Sequence, residues 1–164
     1  MIPEAELKDL CRKFEKLKTA LIDTSSIIYM KKAGHFSLLA ATITLVTIPD
    51  VVVEARMPDL NIKIQRSEYP ASEDEQSTDR RLVSTAKRTN MPLISEDRGI
   101  LMTCRRLGIE YYNAYVALIF LFYLGRIDLE EMLERKRKLL AIARYNRWVR
   151  SYADELTLFV QKIR

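Results

Sequence analysis

Residues 20–34 read ALIDTSSIIYMKKAG, and this stretch decides the fold. Three apolar residues, Ala20-Leu21-Ile22, predict a short buried strand that stops on Asp23. Thr24, Ser25 and Ser26 then offer hydroxyls to cap a helix from Ile27 to Lys32, which Gly34 closes. The unit is strand, acid, helix. The same handover recurs: the β-branched run Ile43 to Ile48 leads into a helix opened by Pro49-Asp50 and carrying Glu54. Asp79 heads a helix with Leu82, Val83 and Ala86 inward. Leu93-Ile94 ends in Ser95-Glu96-Asp97 before a helix from Arg98 to Leu107.

Outward from these units, Pro3 opens an amphipathic helix with Leu7, Leu10, Cys11, Phe14 and Leu17 on one side, ending near Lys18. A short helix covers Phe36 to Ala41, Asn61 to Arg66 reads as a half-buried or edge strand, and Tyr69 to Gln76 as an acidic loop. Ile109 to Tyr112 is the last strand. Strands alternating with helices predict an α/β domain with a mainly parallel central sheet, whose sites form beyond the carboxyl ends of the strands. Beyond it the chain reads as wholly helical: Ala114 to Leu124, Asp128 to about Arg144, and Arg147 onward. The expectation is one domain over 1–164, with a core over roughly 20–113 and a helical C-terminal extension over 114–164.

Composition narrows the setting. With 164 residues, 48% hydrophobic, and only four Gly and five Pro, the chain can bury a proper core and is not a disordered segment. Cys11 and Cys104 have no CxxC partner, so neither a zinc site nor a disulfide framework is indicated, and a reducing cytoplasm fits best. The apolar run Ala114 to Leu124 is too short to span a bilayer, and the N-terminus lacks a signal peptide's apolar core, so no membrane partner is expected. A formal charge of +5 leans toward polyanions. Acids gather at Glu73, Asp74 and Glu75, which read as a solvated loop. Bases gather at Lys87-Arg88, Arg105-Arg106 and along Arg135 to Arg150.

Asp23, Glu54, Asp79 and Asp97 each stand where a strand or loop hands over to a helix, so they can converge at one end of the sheet. Two carboxylates ~5 Å apart repel by ~3 kcal/mol at an effective dielectric of 20. Four cannot crowd together ionised without a compensating cation. Mg²⁺ or Mn²⁺, hard ions that take oxygen ligands, are the expected compensation. A phosphoaspartate receiver would want an acidic pair after an early strand and a Lys after the last; Asp23 stands alone and Tyr112 is followed by no Lys. A D-x-D phosphatase is excluded by Thr24 and Ser25 after Asp23.

The strand LIDTSS ending in Asp23, the helix PDVVVEA with Glu54, the helix start TDRRLVSTAK with Asp79, and the strand PLISED with Asp97 together resemble the PIN-domain ribonucleases. The segment D, two residues, L, three residues, A is met by Asp79, Leu82 and Ala86, and its closing S/T-x-D by Ser95 and Asp97. The match runs from about Leu21 to Tyr112. The resemblance implies a three-layer α/β/α PIN-like fold and a divalent-metal nuclease that hydrolyses phosphodiester bonds of RNA and leaves a 5′-phosphate. Asp23, Asp79 and Asp97 would be direct or water-mediated metal ligands, with Glu54 completing the ring. Many members are VapC-type toxins, so the resemblance also raises an antitoxin protein partner, and a homodimer is among the assemblies it allows. The alternative is a PIN-like module that binds RNA or a protein with little catalysis.

Around these acids, Thr24 and Ser95 are candidates to orient the carboxylates. Arg80, Arg81 and Arg98 adjoin them in sequence and are candidate substrate contacts. Arg144, Arg147 and Arg150, interleaved with Trp148, could clamp a single strand of RNA at a distance from the carboxylates, although Trp148 by itself reads as packing between terminal helices. Glu96 reads as an exposed acid on the opposite side of its strand from Asp97. His35, the lone histidine, reads as an exposed turn residue.

Overall fold

The computed structural model describes residues 1–56, 61–64 and 77–164. Among them, five short strands form one all-parallel sheet: β1 (Thr19–Ile22), β2 (Thr44–Thr47), β3 (Lys63–Ile64), β4 (Leu93–Ile94) and β5 (Tyr111–Tyr112), in the order β3-β2-β1-β4-β5. Leu21 of β1 sits level with Val46 of β2 on one side and Leu93 of β4 on the other. Leu21 and Ile22 are wholly buried, as a central parallel strand covered on both faces must be. At the edge, Lys63 and Ile64 of β3 are both exposed, in keeping with an edge strand.

The chain winds outward from β1 through β2 to β3, then returns to the far side of β1 for β4 and β5. Parallel crossovers are right-handed, so reversing the direction of travel lays helices on opposite faces and gives three layers. It also leaves a switch point between β1 and β4, where neighbouring strands feed their connections away from each other and open a crevice at their carboxyl ends.

The helices are α1 (Glu4–Lys16), α2 (Thr24–Ala33), α3 (Phe36–Thr42), α4 (Pro49–Ala55), α5 (Ser77–Thr89), α6 (Arg98–Leu107), α7 (Ala114–Tyr123), α8 (Leu129–Ile142) and α9 (Arg147–Ile163). Ala114 through Phe122 of α7 are all buried, because α7 is enclosed by α2, α3, α8 and α9. Phe14 of α1 meets the rings of Tyr112, Phe120 and Tyr123, fastening the first helix over the last strand and α7. Cys11 and Cys104 are both buried with free thiols. No helix of the described residues is long and apolar enough to cross a membrane.

Three local expectations are corrected. The N-cap of α2 is Asp23 itself, with extended φ −92° and ψ 171°, and the helix therefore starts at Thr24 rather than Ile27. The last strand begins at Tyr111, because Gly108 turns left-handed at φ 69° and the Ile109 N–H still bonds back to the Cys104 carbonyl at 2.9 Å. His35 is buried at the junction of α2 and α3. Its Nε2 lies 3.0 Å from the Ala114 carbonyl, its Nδ1 has no partner, and burial lowers its pKa to about 4. The reason is the close packing of α3 against α7. The acidic loop Tyr69 to Gln76, with Glu73, Asp74 and Glu75, lies outside the described residues.

Candidate active site

Asp23 follows β1 and Asp97 lies three residues past β4, so the two straddle the switch point. Each caps the helix it precedes. Asp23 Oδ1 accepts the Ser26 N–H at 2.8 Å, and Asp97 Oδ1 accepts the Ile100 N–H at 2.9 Å. Ser95 joins them: its hydroxyl donates to Asp23 Oδ2 and accepts the Asp97 N–H at 3.0 Å. Ser25 adds a longer bond to Asp23 Oδ2 at 3.2 Å. Asp23 is only 5% exposed. Asp97 is exposed.

Glu54, on the last turn of α4, is held from two sides. Thr24 Oγ1 donates to its Oε2 and Thr78 Oγ1 to its Oε1, both at 2.8 Å. Thr24 thus orients Glu54 of the neighbouring α4 rather than its own neighbour Asp23. Asp79 lies in the first turn of α5. Its carboxyl is held above the ordinary value, first by burial and then by the charges of Asp97, Asp23 and Glu54. All four acids therefore share one electrostatic neighbourhood at the carboxyl end of the sheet. Gly99 belongs to this arrangement: a Cβ there would stand 3.0 Å from Asp97 Oδ1, so a larger residue would push the carboxylate aside.

The donor set is all oxygen, which suits Mg²⁺ or Mn²⁺ and not a thiolate-loving ion. Among the described residues, no three acidic, histidine or cysteine side chains are already gathered closely enough to hold an ion. Asp23, Glu54 and Asp97 are each engaged by hydroxyl or amide donors, and the wider spacing is compatible with water-mediated ligation, since Mg²⁺ commonly keeps several of its waters.

Glu96, expected to be an exposed acid, is the largest correction. The strand ends at Ile94, so alternation no longer governs residue 96, and the chain turns its side chain inward. Glu96 Oε1 accepts the Ala114 N–H at 2.6 Å and the Ser26 hydroxyl at 3.1 Å, while Oε2 accepts the Tyr145 hydroxyl at 2.6 Å. Burial raises its pKa to about 7 against the opposing pull of these three donors, with the Asp23 charge adding to the rise. Tyr145 lies between α8 and α9. The extension is consequently not set apart from the carboxylates; one of its side chains reaches the residue beside Asp97. Nothing in the local sequence of Tyr145 signals this, because its partner lies 49 residues away.

The basic candidates divide. Arg81 is 7% exposed and its guanidinium is ion-paired to Asp50 in the first turn of α4. It lies on the inward face of α5 with Leu82, Thr85 and Ala86, and so points into the fold, not toward an open surface. Arg80 and Arg98 are exposed. Arg80 lines a groove of about 460 Å³ between α5 and α6 that Asp79 and Asp97 also border. Arg144, Arg147 and Arg150 are exposed, and the last two share a shallow groove with Tyr145, Asp154 and Glu155. Trp148 is 71% exposed and stacks on Tyr152 at 5.5 Å between ring centroids. It is not interhelical packing: the inward stripe of α9 is Ala153, Leu156, Thr157 and Val160, which aligns with Val149 and leaves residue 148 about 100° away.

No protein-family model matches the chain. No curated protein matches it. Among solved structures, a PilT N-terminus domain protein from the hyperthermophilic archaeon Sulfolobus solfataricus P2 is similar over 60% of this chain and 89% of its own, at 11% identity and a TM-score of 0.44. The α/β class of the present chain rests on its own parallel sheet and crossover order.

Proposed function

We propose that the protein is a divalent-metal-dependent ribonuclease that hydrolyses phosphodiester bonds of single-stranded RNA, with Mg²⁺ or Mn²⁺ at the crevice between β1 and β4. The observation that carries this reading is the convergence of four acids at the carboxyl end of the sheet, where the charges of Asp97, Asp23 and Glu54 add to burial in raising the Asp79 carboxyl. Such mutual repulsion is costly without a cation, and a pure binding module has no use for it.

Asp23, Asp79 and Asp97 would hold the ion directly or through water, and Glu54 would complete the ring from α4. A bound divalent ion would supply charge neutralisation at the scissile phosphate and a more acidic water. The chain's own part is positioning. Ser95 fixes Asp23 and Asp97 relative to each other, Thr24 and Thr78 hold Glu54, and the two helix caps stop the aspartates from rotating away. Arg80 and Arg98, exposed and next in sequence to Asp79 and Asp97, would meet phosphates. Arg144, Arg147 and Arg150 would meet a longer strand.

Metal-stripped protein incubated with mixed RNA oligonucleotides, with and without Mn²⁺, tests the reading. Cleavage that requires the ion and is lost in Asp23→Asn, Asp79→Asn and Asp97→Asn supports it. RNA binding without cleavage in wild type would leave the non-catalytic module. A toxin role within a toxin–antitoxin pair is a narrower reading, tested by whether co-expression of a neighbouring gene product relieves growth arrest.

A further inference from the structure

The groove between α5 and α6 begins at the acids and leads away from them. Asp79 and Asp97 stand at its border; Val83, Ile100 and Leu107 give it apolar wall, and Ser84 and Thr103 give it hydroxyl groups. Its two cations, Arg80 and Lys87, both lie on α5 and are seven residues apart, so they are two turns apart along one helix face. At 1.5 Å per residue that is a span of about 10 Å. A strand carries a phosphate every ~3.4 Å of axis even when wound in a duplex, so this length accommodates more than one. Neither Arg80 nor Lys87 is engaged in an ion pair among the described residues. Thr103 Oγ1 is turned to the Gly99 carbonyl at 2.9 Å, which leaves the lysine and arginine as the charged donors along the groove.

We propose that this groove is a binding track for an unpaired RNA strand running from the scissile position over α5 and α6, with Arg80 and Lys87 on two phosphates of the same strand and Val83, Ile100 and Leu107 under sugar or base. The proposal rests on the ribonuclease reading for its choice of polyanion. The cations along α5 complement a phosphodiester, the two acids stand only at the groove's border, and its continuity with those acids gives the strand a reason to lie there. A groove walled by helices on two sides suits one strand rather than an A-form duplex, whose two backbones are separated by a wide, shallow minor groove.

The test uses fluorescently labelled RNA of dinucleotide and of dodecanucleotide length, with Ca²⁺ as counter-ion, and reads dissociation constants across a salt series. Lys87→Glu and Ser84→Glu should weaken dodecanucleotide binding severalfold, leave dinucleotide binding unchanged, and in the lysine variant reduce the salt slope by about 0.7 for the lost phosphate contact. Lys87→Arg should retain wild-type binding. Wild-type affinity and slope in both glutamate variants would overturn the track, as would wild-type protein that binds the two lengths equally. Mn²⁺-dependent cleavage measured in parallel separates the two readings. A strand bound through Lys87 but never cut would leave the track and remove the nuclease; a strand cut equally well by Lys87→Glu would do the reverse.

Discussion

Replacing Glu96 by Gln removes one ionisable group at nearly constant shape, and its effect should depend on pH. The fold raises the Glu96 pKa from 4.5 to about 7, chiefly by burial. A raised pKa means the folded state favours the protonated acid. Its contribution is therefore fully present below the unfolded value and is lost as pH rises through about 7. At ~1.36 kcal/mol per pKa unit, a rise from 4.5 to about 7 corresponds to a loss of about 3 kcal/mol in wild type by slightly alkaline pH. Glutamine carries no charge and escapes that loss. Its oxygen can keep the Ala114 N–H and Ser26 hydroxyl, while its amide can donate to Tyr145, whose hydroxyl needs only to rotate. Urea unfolding of both proteins in chelator should give equal stability near pH 4.5, the ordinary Glu value. At about pH 8, Glu96→Gln should be up to about 3 kcal/mol more stable, or roughly 6–12 °C in Tm for a chain of this size. A difference that does not change with pH, or a variant less stable at alkaline pH, would refute the assignment of Glu96 as an acid whose ionised form the fold disfavours.

Asp97→Asn should be neutral to stabilising in chelator, since Asn caps α6 as well as Asp and relieves Asp79, yet it should lose most of the Tm gain that Mn²⁺ gives wild type; ligand-dependent melting checks both. Gly99→Ala should displace the Asp97 carboxylate and weaken the Mn²⁺ response severalfold while far-ultraviolet circular dichroism stays unchanged. Arg81→Met should cost about 3 kcal/mol in urea unfolding by leaving Asp50 without its partner, and should not alter the salt dependence of RNA binding. His35, held near 4 by burial, contributes stability above its ordinary 6.5 that is lost as pH falls toward 4. Wild type should lose up to about 3 kcal/mol there relative to His35→Gln, as measured by acid unfolding.

The sheet was legible because short apolar runs alternate with helix-opening polar residues, and the positions of Asp23, Glu54, Asp79 and Asp97 at strand or loop to helix handovers put them near enough for the other three charges to act on Asp79. What the sequence hides is direction. Arg80 and Arg81 are neighbours of one type, but a helix turns each residue by about 100°, and that angle sends Arg81 to Asp50 and leaves Arg80 at the groove. Glu96 defeated the alternation rule because β4 ends two residues earlier, and Tyr145 could not be linked to it by any local pattern. His35 and Trp148 were exchanged, the polar residue buried and the large apolar one exposed: His35 is covered because α3 packs on α7, distant in sequence, and Trp148 lies about 100° from the inward stripe of α9.

The enclosure of α7 bears on how the molecule can be cut and how it opens. A helix with nine successive buried residues has no face that water can solvate, and α8 and α9 supply part of its cover. Truncation before α8 would therefore not yield a smaller soluble core but a chain with a bare hydrophobic rod, prone to self-association. In the intact protein, amides of α7 should exchange with solvent only through openings that detach the C-terminal helices or unfold the whole domain. Because Tyr145 spans from that cover to Glu96, such openings would also loosen the approach to Asp97, and proteolysis between α8 and α9 would be felt at the carboxylates.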